Sequence, residues 1–449
     1  MAKWIEAVEP PAPLVIGGFA RVEVRLGADT YNTCNPGVGD VDGDGLDELA
    51  VPVIEGDSCR ISLYKGDGTE VWRNTEVRFF NFYYGDMEAN RGTHWHAYMR
   101  HRHLFTRIFD IDGDGRQEVV CADGPVWVLD GRTGALKKMV ALDAHVQAWC
   151  PARLDGPGAP ASFVAGVEKR DGSGAAIVAI GPALEVRWIA PVEGRSFEDA
   201  LWAGDVDGDG CDEIVFSTSS TASMYLMDSA GRVRWKQRIE GVIGDDTHID
   251  DLVIASVLPG PSTQILMATG PALIGAGGNI IWALGDKYDH AQRVLAVPMG
   301  AGPAGPRRIY FCESYRRNAY LLDHEAREMW GFSGFQRVRP DFESRITLRL
   351  TTAGGIADWH GDGRPVIVQA ELFGAAQGAE KEIEGPWTGY AVLLTPEGEV
   401  AACLPFEDVP GRPAGAMCAV PGRFNSPGSQ GVAVIVHCGS RLYFFSHAT

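Results

Sequence analysis

A chain of 449 residues that is 45% hydrophobic and 22% charged has ample apolar material for a core. A formal net charge of −19 and the lack of a basic tail argue against a nucleic-acid partner, and no stretch approaches the ~18 apolar residues of a membrane span. Nine cysteines without a CxxC pair argue against a disulfide framework and for a reducing compartment.

The first residues, MAKWIEAVEPPAPLVIGGFARVEV, carry early acids and prolines and no apolar run of signal-peptide length. The expected location is therefore cytoplasmic, or secreted if a leader has been removed. From there on almost nothing keeps a helical rhythm. Short β-rich runs bounded by glycine, proline or aspartate follow one another, among them LDELAVPV, RISLYK, QEVVCA, VWVLD, AAIVAIG, DEIVFST, SMYLMD, RRIYFCE and RLYFFS. Many close as a strand, a tight turn and a strand bearing tryptophan, as in ISLYKGDGTEVW, AIVAIGPALEVRW, MYLMDSAGRVRW and LIGAGGNIIW.

Units of about four strands start near residues 36, 104, 146, 199, 249, 291, 350 and 415. That is the period of β-propeller blades, so the expected fold class is all-β: one domain over 1–449, a β-propeller of eight blades, with seven as the fallback. The last unit, from Ala414, supplies only about three strands, and FARVEVRLG at 19–27 is expected to close the ring as the fourth.

Three units open on the same loop: VGDVDGDGLDELAVP from Val38, FDIDGDGRQEVVCAD from Phe109 and GDVDGDGCDEIVFST from Gly204. In DxDGDGxxE, carboxylates alternate around a glycine-kinked turn and an acid follows on the next strand. This is the oxygen-rich arrangement that wraps a hard cation such as Ca²⁺. The expected metal ligands are Asp40, Asp42, Asp44 and Glu48; Asp110, Asp112, Asp114 and Glu118; and Asp205, Asp207, Asp209 and Glu213, holding several structural calcium ions. Acidic turns without an ion are the plainer alternative. ADWHGDGRPVIV puts His360 and Val366 where acids are needed and is not expected to bind. LDGPG, LPGPS and PMGAG keep only the turn.

Function is expected where loops converge on the axis. His103, His145 and His290 stand at or just before the innermost strands of three units, with His248, Asp250, Glu198 and Asp199 in the same zone of others. The stretch NFYYGDMEANRGTHWHAYMRHRH, 81–103, gathers His94, His96, His101, Trp95, Tyr98, Arg100 and Arg102. It reads either as a cationic, aromatic platform for an anionic sugar or as a pair of imidazole clips for zinc, against the bland reading of a solvated loop. Tyr288, Asp289 and Arg293 flank His290. Tyr315, Arg316 and Arg317 follow, then Arg337, Arg339 and Arg345. Basic groups near a funnel of an acidic protein suggest an anionic ligand such as a uronate.

Repeated DxDGDGxxE blades with His, Tyr and Arg at the blade mouths resemble the propeller-fold polysaccharide lyases, the rhamnogalacturonan and ulvan lyases, along most of the chain. The resemblance implies β-elimination at a uronic acid of a poly- or oligosaccharide. His290 or His145 is then the base with His103 beside it, Tyr288 the acid and Arg293 the carboxylate clamp. His94, His96, Tyr98, Arg100, His248, Tyr315 and Arg316 would hold the sugar. Imported oligosaccharides suit a chain without an evident leader, and stretch 81–103 would cap the cleft. Two rivals remain: a non-catalytic propeller that binds a glycan or protein, and metal-assisted hydrolysis at the HWH/HRH cluster. Oligomeric state is not legible.

Overall fold

The computed structural model describes residues 15–26, 30–32, 36–55, 58–77, 105–122, 124–169, 173–195, 197, 201–244, 248–288, 291–299, 306–313, 318–331, 352–377, 382–407, 417–436 and 441–448. Among them the short apolar runs become antiparallel strands in eight sheets, and the only helical element is the 3₁₀ turn Ser219–Thr221. The sheets are the blades of an eight-bladed β-propeller, as the sequence period predicts.

In blade one the innermost strand Gly37–Gly39 pairs with Glu48–Glu55, which leads to Ser58–Tyr64 and the outermost Glu70–Asn74; an unexpected short strand, Thr30–Asn32, also pairs with Glu48–Glu55. The other innermost strands are Phe105–Phe109, Ala144–Ala152, Leu201–Gly204, Leu252–Ala255, Ala291–Pro298, Thr352–Ala357 and Met417–Gly422. Each packs beside the next around the axis, from Gly37–Gly39 on Phe105–Phe109 to Thr352–Ala357 on Met417–Gly422. The expected closure is present. Phe19–Arg25 joins the last blade as its outermost strand, in register from Phe19 opposite His447 to Arg25 opposite Arg441.

Burial explains the sequence pattern. The middle strands Glu118–Ala122, Ala175–Ile180 and Glu213–Thr218 are buried at every position, because a neighbouring blade covers each face. They therefore read as continuous apolar runs. Outermost strands such as Val233–Arg238 are mostly open, and there polar and apolar residues alternate. The core is correspondingly divided into eight clusters, one at each seam between adjacent blades. The cluster of Leu49, Val51 and Tyr64 with Phe424, Ile435 and Phe444 joins the first blade to the last.

Two repeated polar latches cross these seams. The outermost-strand tryptophan of one blade donates its indole N–H to a turn carbonyl of the next: Trp72 to Gly131 at 2.8 Å, Trp235 to Ala276 at 2.8 Å, Trp282 to His324 at 3.3 Å and Trp330 to Pro396 at 3.3 Å. The Trp72 ring lies on its turn glycine, so a Cβ on Gly134 would stand 2.5 Å from it.

The second latch uses the residue just before the second strand. Asp47, Asp212 and Gln430 accept the backbone N–H of Arg423, Arg153 and Asp358 (2.7, 2.7 and 2.8 Å). Their own N–H groups donate to the carbonyls of the same residues. Asp47 thus ties blade one to blade eight.

The innermost strands run the same way along the axis. Their starts lie on one face, here called upper, and the loops into the second strands lie on the lower face. Cys121, Cys150, Cys211, Cys312 and Cys403 form no disulfide, in keeping with the scattered cysteines. No helix among the described residues is long and apolar enough to cross a membrane.

Candidate functional site

The three acidic loops lie on the lower face and share one geometry. In blade one the Asp40 carboxylate accepts the N–H groups of Gly43 and Gly45 at 2.7 and 3.0 Å, which winds the turn. Both glycines sit at left-handed φ (+80° and +88°), where a side chain would be strained. Asp42 and Asp44 each cap the N–H two residues on, at 3.1 and 2.8 Å, and Glu48, 1% exposed, accepts the Val41 N–H at 3.0 Å. Burial pushes the Glu48 carboxyl up to about 7. Asp110 and Asp205 repeat the double cap in blades two and four.

Asp40, Asp42 and Glu48 bring one donor atom each within 4.8 Å of one another, as do Asp110, Asp112 and Glu118, and Asp205, Asp207 and Glu213. These all-oxygen triads can hold a hard metal ion. Each loop also faces a cation of its own blade. Lys65 Nζ lies 2.7, 3.1 and 3.8 Å from Asp42, Asp44 and Glu48. Lys137 Nζ lies 2.6, 2.9 and 3.6 Å from Asp112, Glu118 and Asp114. Arg234 pairs with Asp207 and stands 3.8 Å from Glu213. These cations were not singled out from the sequence. The available signal was that Lys137 and Arg234 each occupy the second position of an outermost strand.

The upper face carries the other candidates. His145 is the second residue of its innermost strand, 5% exposed and paired across the sheet with Glu168. The register breaks between Val146 and Ala148, and the intervening Gln147 turns inward. Its amide donates to Glu168 Oε2 at 2.9 Å and accepts the Phe197 N–H at 2.8 Å. Innermost strands of blades six and seven carry similar breaks, between Ala291 and Arg293 and between Ala353 and Gly355. Such bulges re-aim side chains and gather beside functional sites.

In blade five the His248 Nε2 lies 3.6 Å from Asp250 Oδ2. That carboxylate also accepts the Thr269 hydroxyl at 3.0 Å, and the Asp250 N–H donates to Thr269 Oγ1 at 3.1 Å. Next to it, the Asp251 carboxylate accepts the N–H of Val294 at 3.2 Å. This draws the start of blade five to the residue beside Arg293. Arg293 itself pairs across the sheet with Cys312, whose side chain packs in the seam between blades six and seven, so the guanidinium stands near the start of blade six's innermost strand but on the face away from blade five. His145 stands at the same level of another blade.

Tyr288 has a different setting. It is 5% exposed, packs against Phe311 and Tyr320 in the seam core, and donates its hydroxyl to Glu328 Oε2 at 3.1 Å. Burial raises its pKa, with Lys287 opposing. Glu328 belongs to the outermost strand Glu328–Gly331, so the phenol faces outward from the axis. His94, His96, Tyr98, Arg100, His103, His290, Tyr315 and Arg316 lie outside the described residues.

No protein-family model and no curated protein matches the chain. Solved structures do match in shape. An exotype rhamnogalacturonan lyase, YesX, is 16% identical over 95% of this chain and 76% of its own, with a TM-score of 0.57. The likeness is one of fold. BamB from Moraxella catarrhalis is 11% identical over 95% of this chain and 99% of its own (TM-score 0.52). Chaetomium thermophilum Sqt1, solved bound to the N-terminus of the ribosomal protein L10, is 9% identical over 94% and 97% (TM-score 0.54). A polysaccharide lyase and a peptide-bound propeller thus resemble the chain to a similar degree.

Proposed function

We propose that the protein is a glycan lyase that breaks the bond to a uronic acid by β-elimination at the upper-face mouth of the propeller. The observation that carries this reading is the seam between blades five and six. There an imidazole, His248, stands beside a carboxylate, Asp250, just before the innermost strand of blade five, and Arg293 is the third residue of the innermost strand of blade six. The likeness in shape to an exotype rhamnogalacturonan lyase supports it.

The chemistry needs three things. A cation against the C5 carboxylate makes the C5 proton acidic enough to remove, and Arg293 supplies that charge. A base takes the proton, and the His248 imidazole, held beside Asp250, is placed for that task. The electron pair left on C5 forms the C4–C5 double bond as the C4–O4 bond breaks, and O4 leaves with a proton. His145, at the same level of blade three, is the second imidazole available for this transfer. Tyr288 takes no part, because its hydroxyl is committed to Glu328 on the outer strand. The acidic loops take no part either, because they lie on the opposite face.

The test is the ultraviolet absorbance of the conjugated unsaturated uronate during incubation with ulvan, rhamnogalacturonan and rhamnose–glucuronate oligosaccharides. A rise that Arg293→Ala and His248→Ala each reduce at least a hundredfold supports the reading. No rise on any substrate with folded protein favours the second reading, a propeller that binds a glycan or protein without cleaving it. The likeness to Sqt1 bound to the N-terminus of L10 is the observation behind that alternative.

A further inference from the structure

The acidic loops carry an internal test, because one chain presents the same loop several times. Two positions matter: the middle acid of the loop, occupied by Asp42 in blade one, and the second residue of the blade's outermost strand. In blade two these are Asp112 and Lys137, 2.6 Å apart. Blade four has Asp207 and Arg234, which are paired. Blade three has lost Glu and the other acids of the motif but keeps Asp155, and there Arg187 makes a two-pronged pair with it, both contacts 2.6 Å. In blade five Leu258 replaces the acid and Ile281 replaces the cation. In blade seven they are His360 and Ala401. Acid and cation are present together and lost together.

Blade one looks like the exception and supports the rule. Its outermost strand has Val71 at the second position, but Lys65, just past the third strand, reaches the loop instead at 2.7 Å. In blades two and four the position of Lys65 is held by aspartates, Asp130 and Asp228, that cap the hairpin turn. The charge has moved to the neighbouring strand and the pairing is kept.

The buried acid occurs only in blades that also have the cation, although blade three keeps the cation without it. Glu48, Glu118 and Glu213 are each 1% exposed and accept the N–H seven residues earlier in the chain, Val41, Ile111 and Val206. In cation-free blade five the uncharged Gln264 makes that bond to Val257 at 2.8 Å. A buried carboxylate without a counter-charge is costly, and the two blades without the cation carry none there: blade five has the amide of Gln264 and blade seven has Val366.

We propose that this chain neutralises its acidic loops with its own lysines and arginine, so that the loops hold without the divalent ion that their spacing invites. The oxygens left after the backbone caps in blade one, Asp42 Oδ2, Asp44 Oδ2 and Glu48 Oε1, converge on Lys65 Nζ. Two of these oxygens accept hydrogen bonds from the ammonium and the third lies 3.8 Å away as its ion-pair partner, whereas calcium takes six to eight oxygens.

The test is calcium titration of chelator-stripped protein by calorimetry, with thermal unfolding in chelator and in excess calcium. The expected result is no saturable binding in the micromolar range and the same Tm in both buffers. Saturable binding near three ions per chain, with a Tm that rises by several degrees, would overturn the proposal. Lys137→Met provides the second arm. It is expected to lower Tm by several degrees, and adding Asp112→Asn to it is expected to restore more than half of the loss. A Lys137→Met protein as stable as wild type would also overturn it. If Lys137→Met does not fold, the wild-type titration decides alone.

Discussion

At the scale of single residues, the buried glutamate of each acidic loop does two jobs. Glu213 accepts the N–H groups of Val206 and Asp207 at 3.0 and 3.3 Å and faces Arg234 at 3.8 Å. Blade five performs the first job with Gln264, which likewise accepts two N–H groups, from Val257 and Leu258. Glu213→Gln is therefore expected to cost only about 1 kcal/mol, whereas Glu213→Ala leaves the buried Val206 N–H and the half-buried Asp207 N–H without this acceptor and costs about 2–4 kcal/mol. Urea unfolding of the two variants distinguishes these values; equal losses would mean that the backbone caps contribute little. The alternating acids were legible in the sequence because their spacing is local. The cations opposite them were not, because Lys137 reaches Asp112 only through the strand register. Tyr288 misled for a related reason. DKYDH places a phenol beside an imidazole in sequence, but packing against Phe311 and Tyr320 turns the ring into the seam.

At the scale of elements, each blade is built on four antiparallel strands, with Thr30–Asn32 added in blade one, and the seams hold the blades in a ring. The hairpin turn is glycine at most positions where the tryptophan of the preceding blade lies on it, although Ala326 takes the same left-handed position (φ +65°) beside Trp282. At Gly134, φ is +70° and a Cβ would meet the Trp72 ring at 2.5 Å. Gly134→Ala is thus expected to cost about 2–4 kcal/mol, through backbone strain and the displaced ring together. Gly115→Ala offers a comparison, because it shares a positive φ of +83° but meets nothing within 4 Å. It should cost only the strain, about 1–2 kcal/mol. If thermal unfolding gives the same loss for both, the Trp–turn contact is not part of what holds the seam. The strand–turn–Trp units were legible because turn chemistry and β-propensity agree along each run. The latch of Asp47 onto Arg423 was not, since its partner is 376 residues away.

At the scale of the molecule, closure depends on a strand from the other end of the chain. Phe19–Arg25 covers the edge of Arg441–His447, and Phe19 packs edge-on against Phe445. Removing residues 1–26 uncovers a row of unpaired backbone groups on that strand, and such edges recruit partners. The truncated chain is expected to lose on the order of 4 kcal/mol or more and to self-associate, as read by thermal unfolding and size-exclusion chromatography. A monomer with unchanged Tm would mean that the ring is held without its fourth strand. The unit count and this closure could be anticipated because a radial repeat must end in a complete blade. The upper-face site was only partly legible. His145, His248 and Arg293 could be placed at strand starts from spacing alone. The Asp251 tie that brings blade six alongside arises only when two blades meet.

The measurement that bears most directly on the proposed activity is the mass of the products from a defined uronate-containing oligosaccharide. Elimination divides the substrate without adding water, so the fragment masses are expected to sum to the parent mass, with one fragment unsaturated. Fragments that together exceed the parent by one water would identify a hydrolase and contradict the account. An intact parent after prolonged incubation with every substrate in the panel would leave a propeller that binds and does not cut.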